Sequence, residues 1–337
     1  MILTYKIKHG KDFSRELSLA KKVAEFGLQH KAISSKEVRH IGLKSTISNQ
    51  ILKKYSKSKT IKKVGSVKLT IPHQSIKIQD DKIYIPCLKL YLDIYFPNNF
   101  TKINQIELGK EFAYVSVSYP DAPMVEAINT IGIDRNTTHH TIVASCLETG
   151  KILKLGKSCN HIHHKYKNLR KGLQKHGKLR KVKAIKDRES RIVRDINHKT
   201  TTALVQFAKE NNACIVMEDL KGIRQTAKTR NRQRYSINSW SFYQQKSMIE
   251  YKAKKYGVTV QYVAPQYTSQ RCSRCGHIEQ ANRKGNLFHC LKCGIVEDSG
   301  VNAGFNIAYL HSQGIPRFSI DRDMLKGNTD TPRGATL

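Results

Sequence analysis

The chain is predicted to be an α+β protein of more than one domain: an N-terminal β-barrel carrying a helical insert, then an α/β domain interrupted by a small cysteine-rich module. Three observations carry this. The apolar period is two between residues 62 and 128 and returns to helical spacing after about 178. Two CxxC pairs stand fourteen residues apart near the C-terminal end. A length of 337 residues is room for about two domains.

Residues 1–10 read as a strand, ILTYKIK. FSRELSLAKKVAEFGLQH and SSKEVRHIGLKSTISNQILKKYSK then space their apolar residues by three and four, as two helices would, so the insert covers about 11–61. SVKLTI, SIKIQ, KIYIP, KLYLDIYF and AYVSVSY alternate apolar with polar residues between turn signals, as half-exposed antiparallel strands do. The run 51–63 has six lysines and no acid, and reads equally as a solvated linker or a phosphate-facing surface. A boundary is expected near Pro123, with the first domain at 1–128.

INTIGIDRN is then a buried strand ending at Asp134, followed by TIVASCL and KILKL. Residues 178–221 lack Gly and Pro, and Leu179, Val182, Ile185, Ile192, Ile196, Ala203, Leu204 and Phe207 trace one face of a long helix. The strand ACIVME ends in Glu218, and a basic loop leads to a helix at about 238–256 in which Trp240, Phe242 and Tyr243 read as core. The strand VTVQYV, the cysteine module at 268–297 and a closing helix at 298–312 complete the second domain, which begins at 129 and whose first part runs to 267. The tail 313–337 has no periodicity and reads as disordered. This order of strands and helices, with acids closing the first and fourth strands, is the ribonuclease-H-like pattern.

Cys272, Cys275, Cys290 and Cys293 have zinc-ribbon spacing, and each pair is followed by a glycine that relieves the turn under the metal. Four thiolates close the coordination shell, so a zinc there organises structure and performs no hydrolysis. A disulfide reading fails for want of a secretory leader. Cys87, Cys146, Cys159 and Cys214 are scattered and read as buried or incidental thiols. Asp134 and Glu218 are the candidate catalytic acids, because hydrolysis of a phosphodiester by two divalent cations requires carboxylates at neighbouring strand ends, and Mg or Mn suits oxygen ligands.

Composition points to a polyanionic partner. Sixty Lys+Arg face 26 Asp+Glu, a formal net charge of +34, with a pI near 9.9 and a mean hydropathy of −0.51. No apolar stretch is long enough to span a membrane, and a cytoplasmic, nucleoid-associated location is expected. Between Lys157 and Arg194 fourteen basic residues meet two acids, and Lys165, Lys167, Arg170, Lys171, Arg180 and Lys183 are candidate phosphate contacts. The loop 221–235 adds Arg224, Arg230, Arg232 and Arg234 among six more. The HIHH run reads as part of this basic patch before it reads as a metal site.

IGID at 131–134, MEDLKGIR at 217–224, SWSFYQQ at 239–245, TSQRCSRCGH with CLKCG, and VNAGFNIA, in this order, resemble the transposon-encoded TnpB (OrfB) proteins, compact relatives of type V CRISPR effectors. The resemblance covers essentially the whole chain. It implies wedge and recognition modules at the N-terminus, a RuvC-like nuclease with a zinc-bearing target-strand module, and a guide RNA paired with target DNA as partners. It also implies that Asp134 and Glu218 are the first two catalytic acids. The family's third acid precedes x-Asn-Ala; here that position is Gly300. Asp298 is a possible weak substitute, although two residues on a helix is about 200° of rotation. Three functions follow: a guided DNA-binding protein of a transposable element with weak or absent cleavage, an active RNA-guided endonuclease, or a guide-independent zinc-ribbon protein binding nucleic acid.

Overall fold

The structure is a computed structural model that describes residues 1–137, 139–220 and 241–314. The chain divides into two compact units, Met1–Asp121 and Ala122–Leu337.

In the first unit, β1 (Ile2–Lys8) leads to α1 (Ser14–His30) and α2 (Ser45–Tyr55), and then to β2 (Leu69–Pro72), β3 (Lys77–Gln79), β4 (Lys82–Ile85), β5 (Leu90–Asp93), β6 (Lys102–Leu108) and β7 (Phe112–Ser118). Hydrogen bonding joins these strands as two antiparallel sheets, β1-β7-β6-β2 and β3-β4-β5, and not as one continuous ring. β6 has no counterpart in the sequence reading, because Asn104, Gln105 and Glu107 break its alternation and a register shift falls between Ile103 and Gln105. Both insert helices turn one apolar face inward: Ala20, Val23 and Ala24 on α1, and Ile47, Ile51, Leu52 and Tyr55 on α2. The lysine run from 51 therefore begins as a packed helical turn.

The second unit is built on one five-stranded sheet. It comprises β8 (Asn129–Arg135), β9 (Ile142–Cys146), β10 (Ile152–Leu155), β11 (Ala213–Glu218) and β12 (Val260–Val263), in the order β10-β9-β8-β11-β12. β9 and β10 are antiparallel, whereas β8, β11 and β12 run parallel. Between β10 and β11 lie α3 (Ser158–Lys175), α4 (Leu179–Ile185) and α5 (Arg188–Glu210); α6 (Phe242–Tyr256) precedes β12. The cysteine module adds a small sheet of β13 (Arg283–Lys284), β14 (Leu287–His289) and β15 (Val296–Asp298), and α7 (Ser299–Ser312) closes the unit.

Side-chain alternation sorts the two faces of this sheet. Ile131, Ile133, Ile215 and Met217 face Leu204, Val205 and Ala208 of α5 and Ile249 and Ala253 of α6. Cys214, Val216 and Val263 face the other way, toward Ile307 and Leu310 of α7. Asp134 and Glu218, out of phase with Ile133 and Met217, belong to the α7 face. That helix lies very close to the sheet: a Cβ on Gly132 would come 2.0 Å from Gly304 O and 2.5 Å from Ala308 N.

Three expectations need correcting. The predicted long helix breaks at Lys186 and Asp187 into α4 and α5, since α4 buries none of its residues and nothing compels continuity. The buried stripe of α5 is Val193, Asn197, Thr200, Thr201, Leu204, Val205 and Ala208, one residue out of phase with the apolar stripe that includes Ile192 and Ile196. Its centre is polar because α6 answers it: Asn197 Nδ2 donates to Ser241 Oγ at 2.7 Å and to Gln244 Oε1 at 2.9 Å, Gln245 Nε2 donates to Asn197 Oδ1, and Lys252 Nζ donates to Thr201 and Thr202. Finally, Tyr243 is 71% exposed and so is not core, while Trp240 lies outside the described residues. Residues 158–175, to which periodicity assigns no element, form α3. Of the tail, only 313 and 314 fall within the described residues.

Candidate functional site

The parallel register sets Met217 beside Ile133, so Asp134 and Glu218 follow together at the carboxyl ends of adjacent central strands. Asp134 is buried, and its Oδ2 accepts from Asn136 Nδ2 at 2.7 Å. Glu218 is partly buried, and its Oε1 accepts from Thr268 Oγ1 at 2.6 Å. Burial raises the Asp134 carboxyl above its usual range. Burial and the nearby Asp134 charge push Glu218 up to about 7. Arg135 threads beneath the pair: its Nη2 donates to Glu218 O at 2.7 Å and its Nη1 to Phe242 O at 3.3 Å. Two buried carboxylates, one raising the proton affinity of the other, form a site that a divalent cation would relieve, and their all-oxygen donor set suits Mg or Mn.

Gly300 lies on the first turn of α7, directly against Asp134. A Cβ there would stand 3.3 Å from Asp134 Oδ2, 3.2 Å from Asp298 Oδ1 and 3.0 Å from Val143 Cγ2. A side chain at position 300 would thus stand between Asp134 and Asp298, and glycine supplies none. Asp298 precedes the helix, so helical rotation does not set the direction of its side chain. Its backbone is extended, at φ −63° and ψ 128°, and it caps α7. One carboxylate oxygen, Oδ1, accepts from Gly300 N at 2.9 Å and Val301 N at 3.2 Å; the other, Oδ2, pairs with Lys154 Nζ at 3.0 Å. These bonds hold its carboxyl below the usual range despite partial burial. Among the described residues, Asp298, Asp134 and Glu218 do not gather as a three-ligand cluster.

Cys272, Cys275, Cys290 and Cys293 do gather: all four Sγ atoms lie within 4.8 Å of one another. The Cys272–Cys293 and Cys275–Cys290 separations are 3.7 and 3.5 Å, close to the roughly 3.8 Å edge of a tetrahedral thiolate shell with metal–sulfur bonds of about 2.3 Å. The two knuckles are alike. Cys275 N and Cys293 N each point at the preceding cysteine's Sγ at 3.5 Å. Gly276 and Gly294, at φ 71° and 72°, turn the chain through a left-handed conformation that a side chain disfavours. This donor set can hold a metal ion.

The basic candidates divide. Lys165, Lys167, Lys171, Arg180 and Lys183 are exposed on α3 and α4. Arg170 is not a surface cation: its Nη1 meets Glu189 Oε2 at 2.5 Å while His163 Nδ1 meets Glu189 Oε1 at 2.6 Å, which ties α3 to α5. The HIHH run therefore contributes a packing contact. Arg224, Arg230, Arg232 and Arg234 lie outside the described residues. Sequence reasoning missed Arg135, Thr268 and Lys154; only Arg135 carried a local signal, as a charge placed directly after a strand-end acid.

Residues 242–307 match the family model described as the TNB domain of Cas12f1-like proteins. A TnpB-like protein of Methanocaldococcus jannaschii is 30% identical over 253 residues, covering 71% of this chain and 89% of that protein. The CRISPR-associated endodeoxyribonuclease Cas12f1 of Sulfoacidibacillus thermotolerans is 32% identical over 216 residues, 58% of this chain and 49% of that one, so the chain spans about half the length of that relative. Among solved structures, the cryo-EM structure of a Cas12f1–sgRNA–target DNA complex superposes with a TM-score of 0.57 at 16% identity, over 88% of this chain and 82% of that one, and so shares the fold. With the sequence match to the archaeal protein and the fold match agreeing, the chain belongs to the TnpB-like family, related to the compact Cas12f1 effectors.

Proposed function

We propose that the chain is an RNA-guided DNA-binding protein associated with a transposable element, whose RuvC-like, ribonuclease-H-like site is impaired by the lack of a third carboxylate. The observation that carries this reading is Gly300, whose missing side chain would reach Asp134 Oδ2. Asp134 and Glu218 would hold Mg or Mn, which when bound activates water and stabilises the leaving oxygen at a phosphodiester. With two acids in place of three, the clamp on paired cations loses charge and geometry, and Asp298 is committed to its helix cap and to Lys154. The four cysteines would hold a structural zinc, and the N-terminal unit would serve as the wedge and recognition modules. Guide RNA and target DNA are the partners favoured by the net charge and by the relatives' descriptions. Exposed lysines on α3 and α4 would grip phosphates and leave sequence choice to base pairing.

The test is to purify the protein with its bound RNA, sequence that RNA, and assay matched DNA with Mg²⁺ beside a Gly300→Asp variant. A discrete RNA, with cleavage absent or weak in the natural protein and raised by the variant, is the expected result. Efficient cutting by the natural protein would sink the impaired-site reading. No discrete RNA would point instead to guide-independent binding.

A further inference from the structure

The root of the cysteine module reaches the acid pair through a hydrogen bond from Thr268. Thr268, 3% exposed and four residues before Cys272, directs its hydroxyl to Glu218 Oε1 at 2.6 Å, with Pro265 O a more distant acceptor at 3.2 Å. The loop that carries Thr268 is clamped to α7 by two fully buried asparagines. Asn306 Nδ2 donates to Thr268 O at 2.9 Å and to Arg271 O at 2.6 Å, and Asn302 Nδ2 donates to Arg271 O at 2.8 Å. In return, Ser273 N donates to Asn302 Oδ1 at 2.8 Å and Arg271 Nη1 to Asn306 Oδ1 at 2.8 Å.

Arg271 itself is 1% exposed, packs 4.3 Å from the Tyr309 ring centre, and leaves Nε and Nη2 without partners among the described residues. A buried guanidinium needs a countercharge. Of the ionisable groups beside it, Tyr309, Cys272 and Cys275, the two thiols become anionic on binding a metal, and a metal-loaded tetrathiolate shell is a net dianion. Loading the cysteines would therefore supply that charge and fix Arg271, the two asparagines and Thr268 as one block. A hydroxyl held on one oxygen of Glu218 restrains the rotation of that carboxylate. Such outer contacts commonly decide how well a first ligand binds metal.

We propose that Thr268 is a positioning residue that holds Glu218 for divalent-cation binding, and that the loaded four-cysteine site keeps Thr268 in place. The inference rests on the acid-pair reading given under Proposed function. Its test measures Mn²⁺ affinity of the full zinc-loaded chain by electron paramagnetic resonance, with zinc content and Tm recorded alongside. Asp134→Ala defines the binding that belongs to the acid pair. Thr268→Val is expected to weaken that binding about tenfold while zinc and Tm hold, and Thr268→Ser to restore it. Chelating the zinc should weaken Mn²⁺ binding by a similar factor, reversed on adding zinc back.

Thr268→Val binding Mn²⁺ like the parent, or Thr268→Ser failing like valine, would overturn the positioning role and leave the acid pair standing. Unchanged Mn²⁺ affinity after zinc removal would overturn the link to the cysteines. Absence of any Asp134-dependent Mn²⁺ binding in the parent protein would overturn the acid-pair reading and this inference with it.

Discussion

At Gly300, the three nearest atoms to an added Cβ are two carboxylate oxygens and one methyl, all at 3.0 to 3.3 Å. An aspartate introduced there would therefore bring a third charge against Asp134 and Asp298 in a tight space. Gly300→Asp is expected to lower Tm in EDTA by about 2–4 °C, the scale of roughly 1 kcal/mol of crowding and repulsion, and to recover in Mn²⁺; thermal denaturation in the two buffers checks it. Glu218 offers a second test. Its carboxyl is pushed up to about 7 in the folded chain by burial and Asp134, against an ordinary value of 4.5, so the folded state holds the proton more tightly than the unfolded one. Its contribution to stability is then present below 4.5 and is lost as pH rises toward 7. Glu218→Gln should thus match the parent near pH 4.5 and exceed it in Tm by about 2–4 °C at pH 8 without divalent cations. An equal gain at both pH values would contradict this account.

Elements bring these residues together. β8 and β11 were legible as apolar runs closed by acids, and their parallel pairing places both acids at the carboxyl ends of two central strands. α7 is brought onto those strands by a glycine crossing: a Cβ at Gly132 would meet backbone atoms of Gly304 and Ala308, which cannot step aside. Gly132→Ala should cost more than about 3 kcal/mol in chemical denaturation of the second unit, because a main-chain clash must be relieved by displacing a helix. Cys272→Ser should abolish stoichiometric zinc and lower Tm, whereas Cys87→Ser, outside the cluster, should retain the metal; metal analysis separates the two. The α5–α6 contact was not legible. Its polar seam is Asn197, Thr201 and Thr202, met by Gln245 and Lys252 some fifty residues away, and a hydrophobic period cannot register a polar seam.

For the whole molecule, the +34 charge favours binding to polyanions and makes it depend on salt. Affinity for RNA or DNA should fall steeply between low and physiological salt. Lys165→Ala or Lys171→Ala should each reduce the slope of log affinity against log salt by about 1 with little change in Tm. Arg170→Ala should behave differently, lowering Tm by loosening α3 from α5, since its partner Glu189 also serves His163. A basic run read in sequence counts charges, but it does not tell which are consumed inside the fold.

Sequence alone determined the features whose chemistry is local. The CxxC spacing and its glycines specify the knuckles, alternation and helical spacing specify most elements, and an acid closing an apolar strand marks Asp134 and Glu218. Gly300 was equally visible, although the acid expected at that position comes from the resemblance to the TnpB proteins and not from local chemistry. Tertiary structure decided what depends on chain segments meeting across long separations. It placed Gly300 against Asp134, turned Asp298 into a helix cap paired with Lys154, spent Arg170 on Glu189, and set Thr268 on Glu218. The physical reason is that a side chain's role follows from the partner that satisfies its hydrogen bonds and charge, and that partner is supplied by the packing of the sheet, α7 and the cysteine module.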